Sequence, residues 1–112
     1  MKKEIADKWV AALRSGKYKQ GRGKLRHEDN FCCLGVLCEI SGLHYDDNQI
    51  WLPIEIADWA GMKFRNGILN TESYYGYNSI NSDESCLTNI NDSGKYTFND
   101  IADIIEKNWE KL

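Results

Sequence analysis

A short basic segment carries the side chains best suited to hold an anion. From Lys19 to Arg26 the chain reads Lys-Gln-Gly-Arg-Gly-Lys-Leu-Arg, so that Arg22 stands between two glycines. Guanidinium and ammonium groups bind phosphate and carboxylate, and glycine lets the backbone approach a ligand closely. The spacing of a Walker motif or of a dinucleotide fingerprint is absent. We predict an anion site at Lys19, Arg22, Lys24 and Arg26. The alternative is a solvated basic hairpin paired with Glu28, Asp29 or the acidic half of the chain.

A tyrosine cluster offers aromatic surface that could complete such a site. Tyr74, Tyr75 and Tyr77 surround Gly76 within a long polar stretch. Tyrosine presents a rigid ring at low entropic cost, which suits stacking on a base or on a partner's surface. The alternative is that these rings cover the core beneath a loop. Together with the basic segment, they predict a nucleotide site.

The four cysteines could serve as metal ligands, nucleophiles or packing groups. Cys32, Cys33 and Cys38 lie within seven residues on an apolar stretch, and Cys86 is remote. This distribution is typical of buried free thiols rather than of a disulfide framework. A zinc site that adds His27 or His44 lacks the paired C-x2-C spacing, so we predict no metal and no cofactor.

Nucleophilic chemistry needs an exposed thiol in electropositive surroundings beside a base. Cys32 or Cys33, at a helix N-terminus near His27, meets part of that description. Burial as a small apolar residue is the favoured interpretation. No paired-carboxylate or Ser-His-Asp pattern stands out, so the sequence leans towards binding rather than catalysis.

Composition and charge bound the class of protein. The 112 residues, 42% of them hydrophobic, predict one globular domain over 1–112. No apolar run reaches 18 residues and no signal peptide is visible, so we expect a cytoplasmic protein without membrane contact. Residues 1–26 hold nine basic and two acidic side chains, a net charge of +7, whereas residues 27–112 hold five basic and fifteen acidic side chains, a net charge of −10. The two halves could face each other, or the basic end could meet an anion.

Helices dominate the elements that must position these groups. Ile5, Trp9, Ala12 and Leu13 mark one face of a helix over about 3–15. Residues 31–40 are apolar all round, which favours a central buried helix over a buried strand, with Asp29 or Asn30 as N-cap and Gly42 as the stop. Pro53 and Gly61 bound a third helix, and Thr97 with Asp100 caps the last one. The predicted caps and stops are Gly16, Asp29, Asn30, Gly42, Pro53, Gly61, Thr97 and Asp100.

Short strands and loops fill the rest. Residues 17–20 and 24–26 read as two strands around Gly-Arg-Gly, or as an ordered loop, and Asn66-Gly67 is a hairpin signal. Residues 70–94 read as a polar loop, a partial strand pair or a variable insertion. The fold class predicted is α+β, helix-dominated, with a central buried helix and one or two β-hairpins.

Several blocks of the sequence form a recognisable pattern. They are Trp9-x3-Leu13, Gly16-Lys17-Tyr18-Lys19-Gln20-Gly21-Arg22-Gly23-Lys24-Leu25, Phe31-Cys32-Cys33-Leu34-Gly35-Val36-Leu37-Cys38, Leu52-Pro53 with Trp59, and Leu87-x3-Asn91-Asp92-x-Gly94 with Phe98 and Ile101-Ala102-Asp103. Together these blocks resemble a family of short tailed-bacteriophage and prophage proteins. The resemblance covers most of the chain except residues 70–86. It implies the cytoplasm of a host cell and an accessory or counter-defence role, without a particular chemistry.

These observations support two hypotheses of different class. The first is a non-enzymatic phage accessory or counter-defence protein that binds a small anionic ligand, with a nucleotide or nucleotide-derived signal as the leading candidate. The alternative is a factor that inhibits a host protein through its acidic surface. Direct nucleic-acid binding is disfavoured by the negative net charge, and the sequence leaves a homo-oligomer open.

Overall fold

The computed structural model describes residues 1–69 and 85–112 and has the predicted α+β, helix-dominated single-domain fold. The helices are α1 (Lys3–Arg14), α2 (Cys33–Ser41), α3 (Ile54–Ala60), α4 (Leu87–Asp92) and α5 (Phe98–Asn108), followed by a 3-10 turn at Trp109–Lys111. The strands are β1 (Lys19–Gln20), β2 (Arg26–His27) and β3 (Asn30–Phe31).

Helix α2 is the predicted buried helix at the centre of the fold. Residues 31–38 are all buried, and the helix ends at Gly42 in the left-handed conformation with φ 70°. The helix begins at Cys33, and the predicted caps Asp29 and Asn30 are wrong. Cys32 is the N-cap, and its Sγ accepts a hydrogen bond from the Gly35 N–H at 3.3 Å. Because Asn30 belongs to β3, the backbone stays extended until Cys32.

Helix α1 packs against both α5 and α2. The buried side of α1 consists of Ile5, Ala6, Trp9, Val10 and Leu13. The Trp9 indole donates to the Cys33 carbonyl at 2.9 Å, which ties α1 to the start of α2. Helix α5 begins with the predicted capping box between Thr97 and Asp100.

The small sheet differs from the predicted pairing. The two segments flanking Gly-Arg-Gly do not pair with each other, because both pair with β3 in the order β1-β3-β2. Strand β1 is parallel to β3, and β2 is antiparallel to it. The hairpin therefore turns at Glu28 and Asp29, with Glu28 at φ 56°. A Gly21 N–H bond to the Phe31 carbonyl at 2.6 Å extends the contact of β1 with β3.

Helix α4 lies within the stretch predicted as a loop, a partial strand pair or an insertion. Leu87, Thr88, Ile90 and Asn91 on this six-residue helix are buried.

Asn66-Gly67 forms a turn, but the flanking residues do not pair with each other. Ile68 instead forms an isolated antiparallel bridge with Cys86. Within residues 1–69 and 85–112, no helix is both long and apolar enough to cross a bilayer.

Candidate functional site

A buried asparagine anchors the glycine-rich half of the basic segment. Asn91 is fully buried at the end of α4, and its Oδ1 accepts from the Cys33 N–H and from Gln20 Nε2, each at 3.1 Å. Its Nδ2 donates to the Gly21 carbonyl at 2.8 Å and to Asp92 Oδ1 at 3.1 Å. Both acceptor positions and both donors of the amide are therefore satisfied. We call these contacts the Asn91 network.

Further contacts extend this anchoring along the segment. Asp92 Oδ1 accepts from the Gly23 N–H at 3.1 Å, and Gln20 Nε2 also donates to the Tyr96 carbonyl at 3.0 Å. The Arg22 guanidinium packs on Gly94, where an added Cβ would lie only 2.9 Å from it. The Gly21 carbonyl and the Gly23 N–H thus already bind protein groups. The glycines serve close packing here, rather than the ligand approach that the sequence suggested.

The predicted cationic residues do not converge on one point. Lys19 is exposed on β1, opposite Asn30 in the register of the sheet. Arg22 lies at Gly94, whereas Lys24 Nζ reaches Asn48 Oδ1 at 3.3 Å. Arg26 lies over the Phe31 ring, with 5.1 Å from Cζ to the ring centroid. Only Lys24 and Arg26 reach the loop of residues 43–49.

Arg26 lines an open cleft of about 680 Å³ together with residues 43–48. Its Nε donates to the Glu28 carbonyl at 2.8 Å, and its backbone N–H donates to the Asp47 carbonyl at 3.2 Å. Asp46 and Asp47 place two carboxylates in the same cleft. The side chain is held by the ring below it and by a carbonyl, and its terminal nitrogens are not hydrogen-bonded within the described residues. We call this the Arg26 cleft.

A second cleft of about 420 Å³ adjoins the first through a shared residue. Asn48, Gln49, Ile50, Trp51 and Arg65 line it, and Asn48 lines the Arg26 cleft as well. Of the residues that the structure describes, Arg65 is the one ionisable group in this lining. We call it the Trp51 cleft.

In the part of the chain that the structure describes, the cations of the basic segment form no salt bridge with a carboxylate. The salt bridges within residues 1–69 and 85–112 join Lys3 to Asp7, and Arg14 to Asp103 and Glu106. The Arg14 pairs, each at 2.6 Å, link α1 to α5 across the basic and acidic halves of the sequence. Residues 17–26 take part in none of them. No ion pair in the described residues joins the basic segment to Glu28, Asp29 or the acidic half, as the alternative of a paired basic hairpin would require.

The thiols are buried and free, as predicted. All four cysteines are buried and none is disulfide-bonded. Burial raises the pKa of Cys32 to about 11 and that of Cys38 to about 12, and it also raises the pKa of Cys33. Among the described residues, no group of three or more His, Cys, Asp or Glu side chains is arranged to hold a metal ion. The geometry gives these thiols a packing role.

The tyrosine prediction falls outside the described residues, and several residues of the clefts carry no signal in the sequence. Tyr74, Tyr75 and Tyr77 lie outside the described residues. The sequence reasoning missed Asn48, Trp51 and Arg65, because nothing in their spacing marks them. In the sequence, Asn91 stands out only as part of the blocks that resemble the phage family.

Comparison with known proteins shows the family. The chain matches the model of a domain of unknown function, DUF8296, over residues 1–44 and 40–109, and it belongs to that family. No curated protein and no solved structure matches the chain.

Proposed function

We propose that this member of the DUF8296 family binds a small anionic ligand at Lys24 and Arg26, with a nucleotide or nucleotide-derived signal as the leading candidate. The observation that carries the proposal is the pair of cations, neither of them ion-paired within the described residues, directed at the loop that forms the Arg26 cleft. An ammonium and a guanidinium together offer the charge and the donors that phosphate requires.

The arrangement of Arg26 suits phosphate recognition. Its Nε is used by the Glu28 carbonyl, and the ring of Phe31 supports the guanidinium plane. The terminal nitrogens then provide a preoriented fork, which reduces the entropic cost of ordering the side chain on binding. Lys24 keeps donors beyond the one directed at Asn48.

The carboxylates of the Arg26 cleft restrict the kind of anion. Asp46 and Asp47 would repel a bare polyanion but accept hydrogen bonds from hydroxyl or amino groups. A nucleotide carries phosphate together with sugar hydroxyls and, in many bases, amino groups. This combination favours a nucleotide over inorganic phosphate or a simple dicarboxylate.

Binding rather than transformation fits the chemistry near the clefts. The thiols of the α2 region are buried with raised pKa values, and none lines either cleft. The resemblance to small phage proteins adds the context of an accessory or counter-defence protein, for which sequestering a nucleotide signal is a sufficient action. We expect the ligand to be released unchanged.

Thermal unfolding in the presence of nucleotides tests the proposal. The panel consists of AMP, ADP, cyclic di-AMP and cyclic di-GMP, each measured with the wild type and with the double variant Lys24→Ala/Arg26→Ala. A ligand at about 100 times its Kd stabilises the folded state by about 2.7 kcal/mol, which raises the Tm of a domain of this size by about 10 °C. The double variant should lose this shift.

Two control variants separate the cleft from general charge. Arg22→Ala removes a cation of the same segment that packs on Gly94, and Lys107→Ala removes an exposed cation on α5. Both should keep most of the ligand-induced shift. Absence of stabilisation by every nucleotide, or an equal shift in the double variant, would contradict the proposal.

A further inference from the structure

A large aromatic side chain is exposed beside the proposed anion site. Trp51 is 49% exposed, and Ile50 beside it is 51% exposed. The core, by contrast, buries Trp9 completely. Exposed tryptophan in a cleft is the kind of surface that stacks on a planar ring.

The backbone under Trp51 is firmly held. The next residue, Leu52, is fully buried, and its N–H donates to the Arg65 carbonyl at 2.9 Å. In return, Arg65 Nε donates to the Leu52 carbonyl at 2.6 Å. These reciprocal bonds fix both sides of the Trp51 cleft relative to each other. The cleft therefore offers a preorganised surface, which lowers the cost of binding.

The polar residues of the Trp51 cleft complement an anionic aromatic ligand. Asn48 and Gln49 supply amide donors and acceptors of the kind that bind the edges of bases, and Arg65 supplies positive charge. Lys24 Nζ lies 3.3 Å from Asn48 Oδ1, so the anion site and this cleft meet at one residue. Among the described residues, neither Asp nor Glu lines this cleft.

We propose that Trp51 is the stacking platform for the base of the nucleotide, with Asn48 and Gln49 at the edge of that base. The inference rests on the proposed function and narrows it: the ligand must carry a planar aromatic ring as well as an anion. It also supplies the aromatic partner that the sequence had placed at Tyr74, Tyr75 and Tyr77.

A protein partner is the competing occupant of this surface. Ile54 is 58% exposed and extends the apolar area beyond the cleft. However, the polar residues Asn48, Gln49 and Arg65 make up most of the described lining of the cleft. The Lys24 ammonium lies beside Asn48, and the Arg65 side chain lines the same cleft as Trp51. This composition suits a small charged ring better than an apolar side chain of a partner.

Titration calorimetry with matched ligands tests the proposal. AMP is compared with ribose 5-phosphate, which has the same sugar and phosphate but no base. Stacking of one base contributes about 1–3 kcal/mol, so AMP should bind the wild type about 5- to 150-fold more tightly than ribose 5-phosphate. Trp51→Ala should remove most of the difference between AMP and ribose 5-phosphate and leave ribose 5-phosphate binding unchanged. Trp51→Phe should recover part of the difference.

The controls distinguish the possible failures. Ile54→Ala removes an exposed apolar side chain that does not line the cleft, and it should leave both affinities unchanged. Equal affinity for the two ligands, unaffected by Trp51→Ala, would overturn the stacking role while the anion site survives. Failure of both ligands to bind would overturn the anion site and the stacking role together. Equal loss of AMP affinity in Ile54→Ala and Trp51→Ala would assign the effect to the apolar area as a whole and contradict a base platform.

Discussion

The two ends of the basic segment differ in what surrounds them. Residues 20–23 are held by the Asn91 network, in which a fully buried amide satisfies partners from β1, the segment itself and α2. Residues 24–26 lie against the loop of residues 46–49 and keep their charged groups at the surface. The glycines thus belong to the anchored end, and the cations that line or border a cleft belong to the open end.

This difference changes the meaning of the Gly-Arg-Gly pattern. Glycines beside cations suggest a backbone that cradles an anion, yet the Gly23 N–H already donates to Asp92. The glycines permit close packing, and the packing in turn fixes where Lys24 and Arg26 emerge. Substitutions at the anchored end should therefore change the free energy of unfolding, and substitutions at the open end should change ligand binding.

The largest effect should follow removal of the buried amide. Asn91→Ala leaves the Cys33 N–H and the Gly21 carbonyl without the partner they have in Asn91, at about 1–3 kcal/mol for each group left unsatisfied, whereas the Gln20 amide keeps the Tyr96 carbonyl. We expect a loss of about 4 kcal/mol in the free energy of unfolding, measured by urea denaturation. Asn99→Ala, at an exposed position of α5, is the control and should change it by less than about 0.5 kcal/mol. Similar values for the two variants would remove the distinction between the ends.

The contact between Leu25 and the start of α2, which we call the junction, should be nearly as sensitive to substitution. Leu25 is fully buried, and its carbonyl accepts from the Cys32 N–H at 3.2 Å. A Cβ at Gly35 would overlap that carbonyl oxygen, so Gly35→Ala must push α2 away from the segment. We expect a loss of about 3 kcal/mol in urea denaturation. Gly42→Ala places a Cβ in open space at positive φ and should cost less, about 1 kcal/mol. A smaller loss in Gly35→Ala than in Gly42→Ala would show that the junction is loosely packed.

The Cys32 cap predicts an alkaline weakness at the same junction. Burial raises its pKa from 9.0 to about 11, so the unfolded chain releases the thiol proton first as the pH rises. The contribution of the neutral Cys32 thiol to the stability of the folded state is complete below about pH 9 and is lost as the pH rises through about 11. Between pH 8.5 and 11 the free energy of unfolding of the wild type should fall by about 2 kcal/mol more than that of Cys32→Ser. The serine hydroxyl also caps a helix but does not titrate in that range. Parallel pH profiles of the two proteins would contradict a buried, neutral thiol.

A milder effect is expected at the rim of the anchored end. Asp92→Ala removes the acceptor of the exposed Gly23 N–H, which can bind water instead, and it also removes one of the two acceptors of the Asn91 amide, which keeps the Gly21 carbonyl. The loss should be about 1 kcal/mol, and hydrogen exchange at Gly23 should become faster while that at Cys33 stays slow. Unchanged exchange at Gly23 would indicate that this hydrogen bond does not hold the loop.

The smallest change in stability should occur at the open end. Lys24→Ala removes an exposed side chain whose one described hydrogen bond, at 3.3 Å, is directed at Asn48. Its free energy of unfolding should stay within about 0.5 kcal/mol of the wild type in urea denaturation. A larger loss would place Lys24 among the structural residues and weaken its assignment to the ligand.

Local sequence signals predicted most of the helices. The buried helix α2, the stop at Gly42, and the capping box of Thr97 and Asp100 follow from patterns within a few residues. The strand partners and α4 could not be predicted in this way. β1 and β2 each pair with Asn30–Phe31 rather than with each other, and α4 is short and rich in residues that also form turns.

The sequence by itself determined the helix-dominated fold class, the burial of the cysteines and the position of the cationic segment. Caps, apolar faces and charge runs act between neighbours in the chain, so they can be read without knowing the fold. Only the tertiary structure decided that Gln20 and Cys33 meet Asn91, respectively 71 and 58 positions away. It also decided that Lys24 and Arg26, not Arg22, face the loop beside Trp51, because such contacts depend on how distant segments pack.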